Sequence, residues 1–220
     1  MSAALAAAGA RLQSRVSRLV GRPGFWTFVI LFGAAFPIVS AAVRPATPPL
    51  PVLGTLDGFA LTDEQGRAFG SEDLRGKVWV ASFFFSRCPT ICPDLMAKIV
   101  KLQKRARGIA PAFRLVSFSV DPEHDRPDVL AAWARRFAAS PRIWKFVTGP
   151  LDDIKHTVEG GLKMAMGSPQ GEQDFASIFH GTHFVLIDRE MRIRGYYDSG
   201  DEDVADRVLH DATMLINRGH

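Results

Sequence analysis

Val78-Trp79-Val80-Ala81-Ser82-Phe83-Phe84-Phe85 runs without a charge into Ser86-Arg87-Cys88-Pro89-Thr90-Ile91-Cys92-Pro93. A continuous apolar run of this length reads as a strand covered on both faces, the kind a parallel sheet buries. Beyond Pro93 the period changes. Leu95, Ile99 and Leu102 recur at helical spacing and basic residues gather toward the end, which predicts a helix over residues 94–107. Further on, residues 113–120 predict a second buried strand, and residues 126–137 a helix with Pro127 in its first turn. Residues 144–147 predict a short strand and residues 151–162 a third helix ending near Gly160-Gly161. Upstream, residues 58–63 and the turn 64–67 predict a strand and its reversal, and residues 71–74 a helical turn.

Residues 164–179 lack periodicity and hold Gly167, Ser168, Pro169 and Gly171, the composition of a long surface loop. Residues 183–187 and 193–197 flank Asp188-Arg189-Glu190-Met191 as an antiparallel hairpin, and residues 204–216 predict a closing helix. Strand, helix, strand, helix, then hairpin and helix is the layout of an α/β thioredoxin-like sandwich, here with an N-terminal β extension.

The 220 residues carry 27 Lys plus Arg against 23 Asp plus Glu, a net charge of +4, and 47% are apolar. These values exclude a disordered tail, a collagen-like repeat and a cysteine-stapled miniprotein. The excess positive charge sits at one end: Arg11, Arg15, Arg18, Arg22 and Arg44 face no acid before residue 45, and the remainder is close to neutral. No basic face is left to bind nucleic acid. Residues 23–43 are uncharged and apolar, about 30 Å long as a helix, which fits one transmembrane anchor. Pro37 is tolerable in such a helix. The arginines place residues 1–22 in the cytoplasm as a leader, and the main domain across the inner membrane in the periplasm or its equivalent. A cleaved signal peptide ending near Ser40-Ala41-Ala42 is the alternative. The proline-rich residues 44–52 form a stiff linker, leaving residues 53–220 as one domain.

Cys88 and Cys92 are the two cysteines of the chain, placed between a buried strand and a helix. A helix N-terminus favours the thiolate, which is both a nucleophile and a soft-metal ligand, so the pair suits redox exchange or metal binding. The three-residue spacer, one longer than in thioredoxin-type motifs, lets both sulfurs face one external point. Two thiolates suit Cu(I), and an imidazole beside them suits copper in either oxidation state. Zinc is disfavoured, since structural zinc sites carry four protein ligands. Of the six histidines, His180 and His183 straddle the entry to the hairpin strand, where such a fold brings its loop against the cysteines.

These residues resemble the Sco (SenC-like) family of copper-binding, thioredoxin-like proteins of cytochrome c oxidase assembly. The likeness rests on residues 83–93, on Ser119-Val120-Asp121-Pro122-Glu123-His124-Asp125-Arg126-Pro127, and on residues 180–195 with the core Val185-Leu186-Ile187-Asp188. It implies that Cys88, Cys92 and His180 bind copper, the histidine being the one eight residues before Asp188. It also implies delivery to the binuclear copper site of cytochrome c oxidase, with other copper chaperones or thioredoxin-like reductants as partners. The alternative is a thiol-disulfide oxidoreductase in which Cys88 attacks and Cys92 resolves; a peroxiredoxin-type peroxidase is weaker. Two departures stand out. Thr90 occupies a position that is usually acidic, and Glu190-Met191 stands where a hairpin glycine is usual. Asp121 and Asp125 are placed to orient a ligand or a nearby cation, or to form a turn capping the next helix. Met164 and Met166 are read as packing.

Overall fold

A computed structural model of the protein describes residues 21–42, 48–89, 91–164, 166 and 183–217. The chain divides into two compact units, with the boundary between Pro49 and Leu50. In the first, α1 (Pro23–Ala42) is a helix with no acidic or basic residue at either end. Trp26, Phe28, Ile30, Leu31, Phe32 and Phe36 stand exposed along it. The side chains of residues 37–42 lie outside the described set. Over the described residues, no helix is long and apolar enough to cross a membrane.

The second unit is built on one sheet. Its strands are β1 (Gly54–Thr55), β2 (Ala60–Asp63), β3 (Ala68–Gly70), β4 (Val78–Phe84), β5 (Phe113–Ser119), β6 (Trp144–Thr148), β7 (His183–Ile187) and β8 (Arg192–Asp198). They lie in the order β1-β8-β7-β4-β5-β6-β2-β3. β4, β5 and β6 are parallel. The hairpins β2–β3 and β7–β8 flank them and pair antiparallel with β6 and β4. All seven residues of β4 are buried, which explains its unbroken apolar sequence. Its one polar side chain is matched: Ser82 lies opposite Ser117 of β5, their hydroxyls 2.8 Å apart, and the Trp144 indole N–H donates to Ser117 at 2.9 Å.

The helices are α2 (Ser71–Leu74), α3 (Ile91–Arg105), α4 (Pro127–Arg136), α5 (Leu151–Lys155) and α6 (Val204–Asn217). α3 begins at Ile91, three residues ahead of its expected start. Pro93 falls in the first turn, where the missing N–H has no helical partner to lose, so it starts the helix instead of delaying it. The helix expected over residues 151–162 is α5 followed by a wider turn, His156–Gly161, whose end is closed by the Leu162 N–H on the Thr157 carbonyl. The end of the proline-rich segment belongs to the domain. Arg194 bonds the Leu50 carbonyl, and the Leu53 N–H donates to Ile193, laying the chain along β8 ahead of β1. β1 itself, two residues long, was not legible in the sequence.

Two hairpin turns repeat one design. In Asp63-Glu64-Gln65-Gly66-Arg67 the Asp63 carboxylate accepts the N–H groups of Gln65 and Arg67 and the Arg67 guanidinium. In Asp188-Arg189-Glu190-Met191-Arg192 the Asp188 carboxylate accepts the N–H groups of Glu190 and Arg192 and the Arg192 guanidinium. Gly66 and Met191 hold the same position in the left-handed region, at φ 75° and 63°.

Candidate metal centre

The site forms at the C-terminal ends of the parallel strands, where loops of an open α/β sheet converge. β4 ends at Phe84, and the chain turns so that the Cys88 N–H meets the Phe85 carbonyl at 3.2 Å. Cys92 follows in the first turn of α3 and packs with Leu95 and Ile99 into the core. Both cysteines are buried, and neither is in a disulfide. Burial pushes the Cys92 thiol far above its ordinary range. A hydrogen bond from the Phe85 backbone opposes that rise, while the neighbouring Cys88 sulfur and the Asp125 charge add to it. For Cys92, burial thus acts against the thiolate that a helix N-terminus favours.

The acidic turn after β5 holds the cysteine loop from below. Asp125, fully buried, accepts the Ser86 N–H at 3.0 Å and the Ser119 hydroxyl at 2.5 Å. Asp121 accepts the Arg87 Nε and Nη2 at 2.9 and 2.7 Å and sits 3.0 Å from the His124 Nδ1. The two residues before Cys88 are therefore each tied to a different carboxylate of one turn. Asp121 partners an arginine, one of the roles the sequence allowed. The capping alternative fails for α4, whose start at Arg126 has no side-chain cap. The partners Ser86 and Arg87 were not singled out by sequence, since their spacing of 39 and 34 residues from Asp125 and Asp121 carries no periodic signal; Ser119, only six residues before Asp125, was quoted in the motif without its partner.

Cys88 and Cys92 come together as expected. His180 and Thr90 lie outside the described residues. β7 runs antiparallel to β4, so the chain enters it, at His183, on the sheet end from which the cysteine loop departs. The His183 Nδ1 is buried and has no hydrogen-bond partner among the described residues. His124 is spent on Asp121, and Met164 and Met166 pack against the core. Among the described residues, no three His, Cys, Asp or Glu side chains converge as a metal cage.

A match to the SCO1/SenC family covers residues 54–217. The chain belongs to the SCO1/SenC family. The SCO1 protein homolog of Bacillus subtilis is 30% identical over 157 residues, 71% of this chain and 80% of that one. The SCO1/SenC family lipoprotein of Bacillus anthracis superposes with a TM-score of 0.68 at 34% identity, covering 76% of this chain and 97% of that chain. Yeast Sco1 with copper bound gives a TM-score of 0.57 at 27% identity over 73% of this chain and 88% of that chain. The α/β thioredoxin-like fold is that of these SCO1/SenC structures.

Proposed function

We propose that this SCO1/SenC protein binds copper through Cys88, Cys92 and His180 and passes it to the binuclear copper site of cytochrome c oxidase. The observation that carries the reading is the pair of thiols side by side, with no disulfide between them, at the mouth of the sheet, in a family that includes a copper-bound member. Thiolates are soft ligands that hold Cu(I), and an imidazole makes Cu(II) accessible. Because the Cys92 proton is held tightly, copper must displace it, so loading releases protons and weakens as the solution becomes more acidic. We propose further that the uncharged, apolar residues 23–43 anchor the chain in the inner membrane, with the domain on the periplasmic or equivalent side, a reading that rests on the sequence. An oxidising compartment would close a Cys88–Cys92 disulfide and expel the metal.

The test is an anaerobic titration of the reduced full chain, in detergent, with Cu(I) and Cu(II). One copper per chain is expected, with Cu(II) binding weakened at least tenfold in His180→Ala and nearly unchanged in His183→Ala. Binding unaffected by His180→Ala would sink the three-ligand site.

The adjacency of two thiols also favours a second reading, thiol-disulfide exchange with a respiratory copper site. Copper-free wild-type and His180→Ala proteins that reduce a disulfide substrate at equal rates would support it.

A further inference from the structure

At the opposite end of the parallel strands lies a cavity of about 390 Å³, within the size range of small-ligand sites. Phe69 and Leu74 contribute apolar lining, and four cations reach it: Arg67, Lys77, Arg114 and Lys145. Two of the four are already balanced. Arg67 and Lys145 pair with Asp63, and Lys145 also pairs with Glu64.

Lys77 and Arg114 differ. Lys77 immediately precedes β4, and Arg114 lies on β5 opposite Trp79, so two adjacent parallel strands deliver them to one place. Among the described residues, neither has a carboxylate oxygen within the 4 Å of an ion pair. The Lys77 ammonium donates to the Asp73 backbone carbonyl at 2.6 Å, and Arg114 Nη1 donates to the Phe113 carbonyl at 2.7 Å and to Ala110. The one carboxylate left in the lining, Asp73, accepts the Gly70 N–H at 2.9 Å. Burial lowers the Lys77 pKa and the charge of Arg114 lowers it further, while the charge of Asp73 offsets part of both. An anion between the two cations relieves that repulsion.

We propose that this cavity binds the phosphate group of a small organic phosphate, held by Lys77 and Arg114. Phosphate fits better than carboxylate, because a guanidinium fork takes two oxygens and a phosphate keeps a third for the ammonium. The seven residues of β4, about 20 Å of strand, separate this site from the cysteine loop, so its occupancy and copper loading are independent.

The experiment is a ³¹P NMR titration of the full chain, in phosphatidylcholine nanodiscs, with glycerol phosphate. Saturable binding is expected, weakened at least tenfold in Lys77→Gln and in Arg114→Gln and unchanged in Cys88→Ser. Asp73→Asn, which keeps the acceptor for Gly70 and removes a nearby negative charge, should tighten binding several-fold. Because Arg114 also bonds backbone carbonyls, Lys77→Gln decides if Arg114→Gln unfolds. Repeating the titration with a tenth of the lipid as phosphatidic acid separates the sources. Competition by the lipid assigns a headgroup; no competition assigns a soluble phosphate. The proposal is overturned by non-saturable binding, by equal affinity in wild type and Lys77→Gln, or by succinate binding as tightly as glycerol phosphate.

Discussion

Met191 and Gly66 do the same backbone job with opposite means. A left-handed conformation costs a non-glycine residue about 1–2 kcal/mol, which Gly66 avoids and Met191 does not. Met191 is only 2% exposed, however, and truncating a buried side chain of its size costs about 2–5 kcal/mol. The second effect wins, so Met191→Gly should lower stability by about 1–3 kcal/mol in urea unfolding, although it removes the left-handed strain. Ala138 gives the opposite outcome. It too is left-handed, at φ 49°, ending α4 with the Ala139 N–H on the Ala134 carbonyl, but its side chain is exposed and nothing is lost by removing it. Ala138→Gly should raise stability by about 1 kcal/mol after the entropic cost of glycine. The Asp63 carboxyl yields a pH dependence. Burial would raise its pKa, but hydrogen bonds from the Arg67 N–H, Lys145, the Arg67 side chain and the Gln65 N–H outweigh burial and hold it at about 2, below the ordinary 3.8. Its contribution, about 2 kcal/mol, is therefore full above pH 4 and lost as the pH falls toward 2. Asp63→Asn should flatten that part of the stability-versus-pH curve.

Between elements, the two carboxylates under the cysteine loop look alike in sequence and differ in weight. Asp121 and Arg87 meet at the surface, where such pairs contribute about 0–1 kcal/mol. Asp125 is buried, and removing it leaves the Ser86 N–H and the Ser119 hydroxyl without their acceptor, a loss of about 2–3 kcal/mol. Asp125→Ala should thus destabilise the domain clearly and loosen copper at least tenfold, while Arg87→Ala changes the unfolding midpoint little. Equal effects of the two variants would show that the tie to Ser86 does not set the loop. The element scale also shows where sequence reading succeeds. β4, β5 and the β7–β8 hairpin were legible because burial on both faces, or a turn with an obvious reversal, writes itself into neighbouring residues. The start of α3 was not, because Pro93 signals a boundary without saying on which side of it the helix begins. The wide turn after α5 leaves no mark in the apolar spacing.

Over the whole molecule, the parts of the site that come from one stretch of chain, Cys88 and Cys92, could be named from sequence. The parts contributed by distant segments, Ser119 and Asp125 above all, could be quoted as a motif but not assigned to their partners. The depth of Cys92 likewise depends on packing by residues far away in the chain, and so does the rise of its pKa. The same holds for the hydroxyl pair Ser82–Ser117 in the centre of the sheet, which no local pattern announces. Removing the acceptor of the Trp144 N–H by Ser117→Ala should cost about 1–3 kcal/mol in chemical denaturation. That pair also acts as a key. β4 is a nearly featureless apolar ribbon that could slide past β5 with little hydrophobic penalty, yet any slip strands the Ser82 hydroxyl in a dry interior. Locking Ser82 against Ser117 fixes Phe84 against Ser119, and so brings Ser86 within reach of the acidic turn. A polar contact buried in mid-sheet thereby sets the address at which the two sulfurs are delivered.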